Sequence, residues 1–264
     1  MTDSERGQVT ADAATVYEDF FVPSLFGQWT ERVAEAAGIR PGQRVLDVAC
    51  GTGVLARAVA GLVTPNGTVV GIDPNAAMLA VARRTAPGID WREGRAEALP
   101  FADAEFDAAV SQFGLMFFDD RVAALREMRR VVRSDGRVAT AVWGSIDRSP
   151  GYAALADLLA GLFGEAAATA LRAPFALGDP DLVADLMDEA GYASRRVEVH
   201  EGTARFPSIE SWMFTEIRGW TLADAIDDEQ FEVLLGEARR ELGRFARADG
   251  TVEFAIAAII AGGR

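Results

Sequence analysis

The stretch Val45-Leu-Asp-Val-Ala-Cys-Gly-Thr-Gly53, running into Val54-Leu-Ala-Arg-Ala-Val-Ala-Gly-Leu-Val63, decides how the chain is read. Its first part is short, apolar and β-branched, as a strand covered on both faces requires; its second part has the length and spacing of a helix. Between them Gly51 and Gly53 let the backbone bend tightly and come close to a ligand with no Cβ in the way. Further on, Asp73 ends a second strand-like run, Thr68-Val-Val-Gly-Ile-Asp73. A carboxylate there can accept from both ribose hydroxyls of an adenosine group. Asp73 stands ahead of Pro74 and suits a helix cap as well, and the two roles are compatible.

The alternation continues outward. Asn75 to Thr85 reads as a helix, Ile89 to Glu93 and Phe106 to Ser111 as strands, Arg121 to Val132 as a helix and Gly136 to Trp143 as a strand. Strand and helix in turn imply right-handed crossovers and a parallel sheet with both faces covered. Residues 145–190 change character: Ala and Leu dominate, and the spacing predicts two or three helices, the last from Asp181 to Ala190 with Asp179 as its cap. Arg195 to Val199 alternates as a strand does. A helical stretch follows from Ser208 to Arg247, where Phe231, Leu234, Leu235, Ala238, Leu242 and Phe245 share one face, and Thr251 to Ala261 closes as an apolar strand.

Composition removes several chemistries. Against 40 acidic residues stand 26 basic ones, for a net charge of −14, which opposes nucleic-acid binding because phosphate contacts need a cationic surface. No lysine occurs, so Schiff-base and P-loop lysine chemistry are absent. One cysteine, Cys50, and one histidine, His200, exclude an intrachain disulfide and any multi-cysteine or multi-histidine metal site within one chain, so no metal is expected. The charged N-terminal stretch lacks the apolar core of a secretory signal and no apolar run reaches membrane-spanning length, so a cytoplasmic protein with no membrane partner is expected.

Gly51-x-Gly53-x-x-Ala56 fits the dinucleotide fingerprint, so the glycines alone leave a nicotinamide-dependent oxidoreductase and a S-adenosylmethionine enzyme both open. Asp47 tips the choice. A dinucleotide would set its anionic pyrophosphate at this turn, beside that carboxylate, whereas S-adenosylmethionine carries cationic amino and sulfonium groups that an acidic strand end attracts.

Five stretches then stand in a recognisable order and spacing: LDVACGTG (46–53), GIDPNAAML (71–79), GRAEALPF (94–101), FDAAVSQFGLMFF (106–118) and LREMRRVVRSDGRV (125–138). In these, over about residues 40–145, the chain resembles the class I S-adenosylmethionine-dependent methyltransferases, and most of all their ubiquinone/menaquinone-biosynthesis-like small-molecule branch. The resemblance implies an α/β fold, a Rossmann-like doubly wound sheet of seven strands with the last antiparallel, and helical lid insertions. It implies S-adenosylmethionine as cofactor and S-adenosylhomocysteine as product. By the same resemblance Asp47, Ala49, Gly51 and Gly53 would line the methionine part, Asp73 would bind the ribose, Met78 would flank adenine, and Ala96 and Glu97 would sit at the adenine edge. Ser111, Gln112 and Phe113 would border the transfer region. Many relatives have an acidic residue at the position of Arg95; arginine has no acceptor for the adenine amino group, so that contact must come from elsewhere.

The resemblance divides the chain into an N-terminal helical segment over the cofactor site (1–43), a cofactor-binding core (44–144), a helical lid insertion (145–190) and final strands with a second lid insertion at 204–250 (191–264). In the first segment Tyr17 and Trp29 would touch the cofactor; the competing reading is an amphipathic helix packed on the lid. Both insertions leave the carboxyl edge of the sheet and would roof the methyl group, supplying Phe163, Phe175, Phe206, Trp212, Phe214 and Trp220 to an apolar acceptor pocket, although most of these are expected to be lid core. Ser111-Gln112-Phe113-Gly114 differs from the Asn/Asp-Pro-Pro-aromatic signature of base amino-methyltransferases, and the lone cysteine is not a Pro-Cys nucleophile. The acceptor expected is a small apolar molecule, methylated on oxygen, carbon or nitrogen. The arginine-only, alanine-rich composition suggests a GC-rich bacterial genome, in which such enzymes often tailor secondary metabolites. A relative that keeps the cofactor without methylating, for cyclisation or decarboxylation, is the alternative. His200, read at the end of a strand on the ligand edge, is the candidate general base.

Overall fold

The computed structural model describes residues 10–219 and 226–264; Trp220 lies outside them. In chain order the elements are α1 (Ala11–Val16), a π-type helical segment (Tyr17–Phe26), α2 (Thr30–Ala36), β1 (Arg44–Val48), α3 (Val54–Val63), β2 (Thr68–Asp73), α4 (Ala76–Thr85), β3 (Asp90–Glu93), β4 (Phe106–Gln112), α5 (Arg121–Val131) and β5 (Val132–Trp143). Then follow α6 (Pro150–Phe163), α7 (Glu165–Arg172), α8 (Pro180–Glu189), β6 (Arg195–Phe206), α9 (Ile209–Arg218), α10 (Asp228–Glu241) and β7 (Val252–Gly263).

β1 extends because Val45, Leu46 and Val48 all lose their water: each is fully buried, as in a strand covered on both faces. It lies third, next to the central β4, in a seven-stranded sheet of order β3-β2-β1-β4-β5-β7-β6. β1 pairs in parallel with β2 and β4, and β4 with β5. β7 runs antiparallel to both its neighbours, β5 and β6, so the last strand alone is reversed, as the resemblance implies. The strand order turns around between β1 and β4, and this switch point opens a crevice at their carboxyl ends.

The caps show where the sequence signals acted. Asn75, not Asp73, caps α4, its side chain accepting from the Ala77 and Met78 N–H groups; Asp73 instead accepts from the Asn75 N–H. Asp179 caps α8 as expected, and Asp227 and Gln230 form a reciprocal capping box on α10. Two readings of the insertions need correcting. β6 continues to Phe206, because its pairing with β7 extends to Phe206 opposite Val252, so the second insertion begins after that residue. α8 does not roof the crevice: it packs against α5, β6 and β7 as a covering helix of the sheet. The long β6–β7 ladder carries the lid, with Phe206, Trp212 and Phe254 packed together, Phe206 and Trp212 stacked at 5.7 Å. Phe206 is fully buried, and truncating it to alanine would cost about 3–5 kcal/mol.

Candidate functional site

The turns leaving β1 and β4 are sharply bent: Ala49 and Phe113, each the first residue after its strand, hold φ of 57°. Left-handed conformations at non-glycine residues are costly and gather where a fold needs an exact backbone direction. They open a cleft of about 970 Å3, counting its mouth, between the two turns and the start of α4. Tyr17, Asp47, Ala49, Gly51, Asp73, Met78, Ala96, Glu97, Gln112 and Phe113 line it, so ten residues read from the sequence meet in one place.

Gly51 and Gly53 divide in role. Gly51, at φ 54°, faces open space where a Cβ would stand, and it lines the cleft. Gly53, at φ 91°, faces the Trp91 indole and does not line the cleft.

Two acids dominate the electrostatics. Asp73 accepts from the Gly51 N–H at 2.9 Å and the Asn75 N–H at 2.8 Å, yet burial outweighs both bonds and its carboxyl is pushed up to about 6. Asp47 is 1% exposed and neither of its oxygens has a hydrogen-bond partner. Burial, helped by the negative charge of Asp73, outweighs the nearby Ala56 N–H, which closes no bond of normal geometry, and holds Asp47 well above the ordinary carboxylate range. An unpartnered buried carboxyl is expensive, and a cationic donor arriving in the cleft would relieve it. Tyr17, stacked on Phe26 at 5.0 Å, closes one side of the cleft, and burial with the nearby acids raises its phenol as well. Burial also raises the Cys50 thiol, which lines the cleft as an un-ionised group.

At the opposite rim Arg95 pairs with Asp119 at 2.6 Å and with Glu97 at 3.5 Å, while Glu97 accepts from the Asp119 N–H at 2.9 Å. The arginine that breaks the expected pattern is thus matched by two carboxylates, and acceptors remain beside it. Asp119, Phe117 and Phe118 line this rim and were missed; Phe117 and Phe118 end the fourth quoted stretch and Asp119 follows it, where the turn after β4 could have been followed further.

The structure does not bring four other candidates into the cleft. Trp29 is fully buried against Phe113 at 6.3 Å and Trp143 at 6.2 Å. Ser111 is fully buried within β4, and Gly53 packs on Trp91. His200 is not at a strand end. It stands inside β6 opposite Ala258 and lines a separate groove with Arg32, Glu35, Arg137 and Arg264, which shares no residue with the cleft. The N-terminal segment is tied down by the Arg57–Glu18 pair at 2.7 Å and by the Gln112 amide donating to the Phe26 carbonyl at 3.2 Å.

Beside the cleft lies a second, tighter chamber, about 560 Å3 only when the open solvent at its mouth is counted, sharing Tyr17, Phe113 and Phe117 with it. Its walls are Phe21, Phe26, Trp143, Leu171, Pro174 and Phe175, with Phe113 and Trp143 stacked at 3.8 Å. Of the aromatics expected in the roof only Phe175 reaches it among the described residues. Phe206 and Trp212 are lid core, Phe163 packs partly buried on that core, and Phe214 is exposed near Phe20. Glu216 also lines the chamber; Tyr152 donates to it at 2.5 Å, and burial pushes its carboxyl up to about 8. Neither was legible beforehand, since nothing local marks a glutamate that burial makes unusual. Among the described residues no group of three or more histidine, cysteine or acidic side chains could hold a metal ion, and no helix is long and apolar enough to cross a membrane.

Comparisons with known proteins agree with this geometry. Residues 45–136 match a family described as a methyltransferase domain. The chain is 45% identical over 116 residues to a demethylmenaquinone methyltransferase of Renibacterium salmoninarum, covering 43% of this chain and 47% of that one. It is 42% identical over 145 residues to a ubiquinone/menaquinone biosynthesis C-methyltransferase of Hahella chejuensis, covering 52% and 58%. The chain thus spans about half the length of the curated relatives it matches. In fold it is similar to phosphoethanolamine N-methyltransferase 2 of Haemonchus contortus, solved with S-adenosylhomocysteine, at TM-score 0.63 and 18% identity, covering 98% of this chain and 58% of that one.

Proposed function

We propose that this chain, whose residues 45–136 match a methyltransferase-domain family, is a class I S-adenosylmethionine-dependent methyltransferase that binds that cofactor in the β1/β4 cleft and methylates an apolar small molecule on oxygen, carbon or nitrogen. The observation that carries the reading is Asp47: a buried carboxyl with both oxygens unpartnered, at the strand end where the cofactor's ammonium group would lie. A pyrophosphate beside it would add a like charge to a group already costly to ionise, so nicotinamide chemistry is disfavoured. Asp73 would hold the ribose hydroxyls; Met78, Ala96 and Glu97 would contact adenine.

The cofactor, when bound, supplies a methyl group on a sulfonium sulfur. The chain itself supplies position and apolar walls. Tyr17, Phe113 and Phe117 stand where cleft and chamber meet, so an acceptor in the chamber would meet the cofactor's methyl group at an apolar junction. The net charge of −14 favours a small molecule over nucleic acid as acceptor, and the resemblance to quinone-pathway methyltransferases supports a ring compound of metabolic or secondary-metabolic origin. The test is a thermal shift: S-adenosylhomocysteine at about 100 times its Kd should raise Tm by roughly 5 °C and NADH should not; the reverse result overturns the reading.

A further inference from the structure

The chamber beside the cleft is mostly apolar; beside the phenols of Tyr17 and Tyr152 its wall holds one acid, Glu216, and that acid is built in. Glu216 on α9 is 5% exposed, and the Tyr152 hydroxyl on α6 donates to it at 2.5 Å. A buried glutamate with no basic partner is a burden to the fold unless something uses it, because replacing it by an apolar residue would relieve its desolvation. Tyr152 occupies one carboxyl oxygen, and the Trp212 indole N–H lies close to the same carboxyl without closing a bond of normal geometry. The group nevertheless contributes to the chamber wall, among the rings of Phe21, Phe26, Trp143 and Phe175.

We infer that the Glu216–Tyr152 pair is the polar recognition point of the acceptor chamber, and that the acceptor is an apolar ring compound carrying a hydroxyl that hydrogen-bonds to Glu216. This rests on the methyltransferase reading and names the substrate class it left open. The aromatic walls take the flat apolar body, and the Glu216–Tyr152 pair at their edge takes the hydroxyl. A hydroxyl both donates and accepts, so it suits the carboxyl in its neutral form, which the chamber favours at neutral pH. A methyl ether can only accept, and a bare hydrocarbon leaves the pair unused. Discrimination by such a buried bond is about tenfold or more.

The experiment is calorimetry of the whole chain with 1-naphthol, 1-methoxynaphthalene and naphthalene as probes, with S-adenosylhomocysteine titrated separately. Wild type should bind 1-naphthol about tenfold more tightly than the other two. Glu216→Leu should keep its fold and its S-adenosylhomocysteine affinity but lose that preference, Tyr152→Phe should weaken it, and Glu216→Gln, which keeps a donor and an acceptor, should restore most of it. Equal binding of the three probes by wild type, no binding of any of them, or an unchanged preference in Glu216→Leu would overturn the assignment. Failure to bind S-adenosylhomocysteine with the hydroxyl preference intact would instead remove the methyltransferase reading and leave the chamber assignment standing.

Discussion

Gly53 abuts the Cη2 edge of the Trp91 indole: a Cβ on Gly53 would stand 2.3 Å from the Trp91 ring, and one on Gly71 of β2 would stand 2.4 Å from it. The second glycine of the turn therefore serves the packing of α3 onto β2 and β3, through a ring held between two glycines, while Gly51 serves the cleft. Gly53→Ala adds left-handed strain at φ 91° to this clash and should cost about 2–4 kcal/mol, lowering Tm by roughly 5–10 °C. Trp91→Leu in the same background should return the part due to the clash, which a double-mutant cycle on urea unfolding would measure. A Gly53→Ala protein as stable as wild type would refute this account.

Asp73 predicts a pH dependence of cofactor binding. Its carboxyl sits at about 6 in the empty cleft, above its ordinary 3.8, and the ionised form is the one that accepts two ribose hydroxyls. The contribution of Asp73 to S-adenosylhomocysteine affinity should be constant above that value and fall by up to tenfold per unit as pH drops below about 6, while the raised carboxyl of Asp47 adds a separate gain on the alkaline side. Asp73→Ala should weaken binding roughly 30- to 100-fold at pH 7.5 and abolish the acid-side dependence. Calorimetry at pH 5, 6 and 7.5 reads both.

Asp47 predicts a trade between stability and binding. Because its raised carboxyl favours the protonated form in the fold, ionising it as pH rises destabilises the empty protein. Asp47→Asn should therefore unfold later than wild type at pH 8, by about 1–2 kcal/mol in urea, while binding S-adenosylhomocysteine about 100-fold more weakly. If the variant were less stable at pH 8 and bound as well as wild type, Asp47 would have another role.

Glu216 makes a separate claim on stability. With a folded-state value of about 8 against an ordinary 4.5, the native protein binds more protons than the unfolded chain between those limits, so stability falls as pH rises through that window. The slope owed to this one group is at most about 1.4 kcal/mol per pH unit. Urea unfolding of wild type and Glu216→Gln at pH 6 and pH 8.5 should show the variant losing less on the alkaline side, and equal losses would contradict the burial argument.

The local pattern settled a good deal. The apolar run at Val45–Val48, the helix-length segment after Gly53 and the acid at Asp73 follow from residues adjacent in sequence, so β1, α3, β2 and most of the cofactor cleft were legible: a parallel strand buries both faces and must be apolar throughout. The antiparallel β7 came only from the family resemblance, because a continuously apolar strand carries no sign of its direction.

Tertiary packing decided what sequence distance conceals. Whether Trp29 meets the cofactor or Phe113 and Trp143, whether α8 roofs the cleft or covers the sheet, and whether His200 ends β6 or lies within it are each set by how far β6 pairs with β7 and how the helices close over that ladder. The same closure brings Tyr152 of α6 to Glu216 of α9 across 64 residues of chain. The physical reason is that burial belongs to the assembled molecule: a glutamate on a helix face is an ordinary solvated charge until the neighbouring elements take its water away.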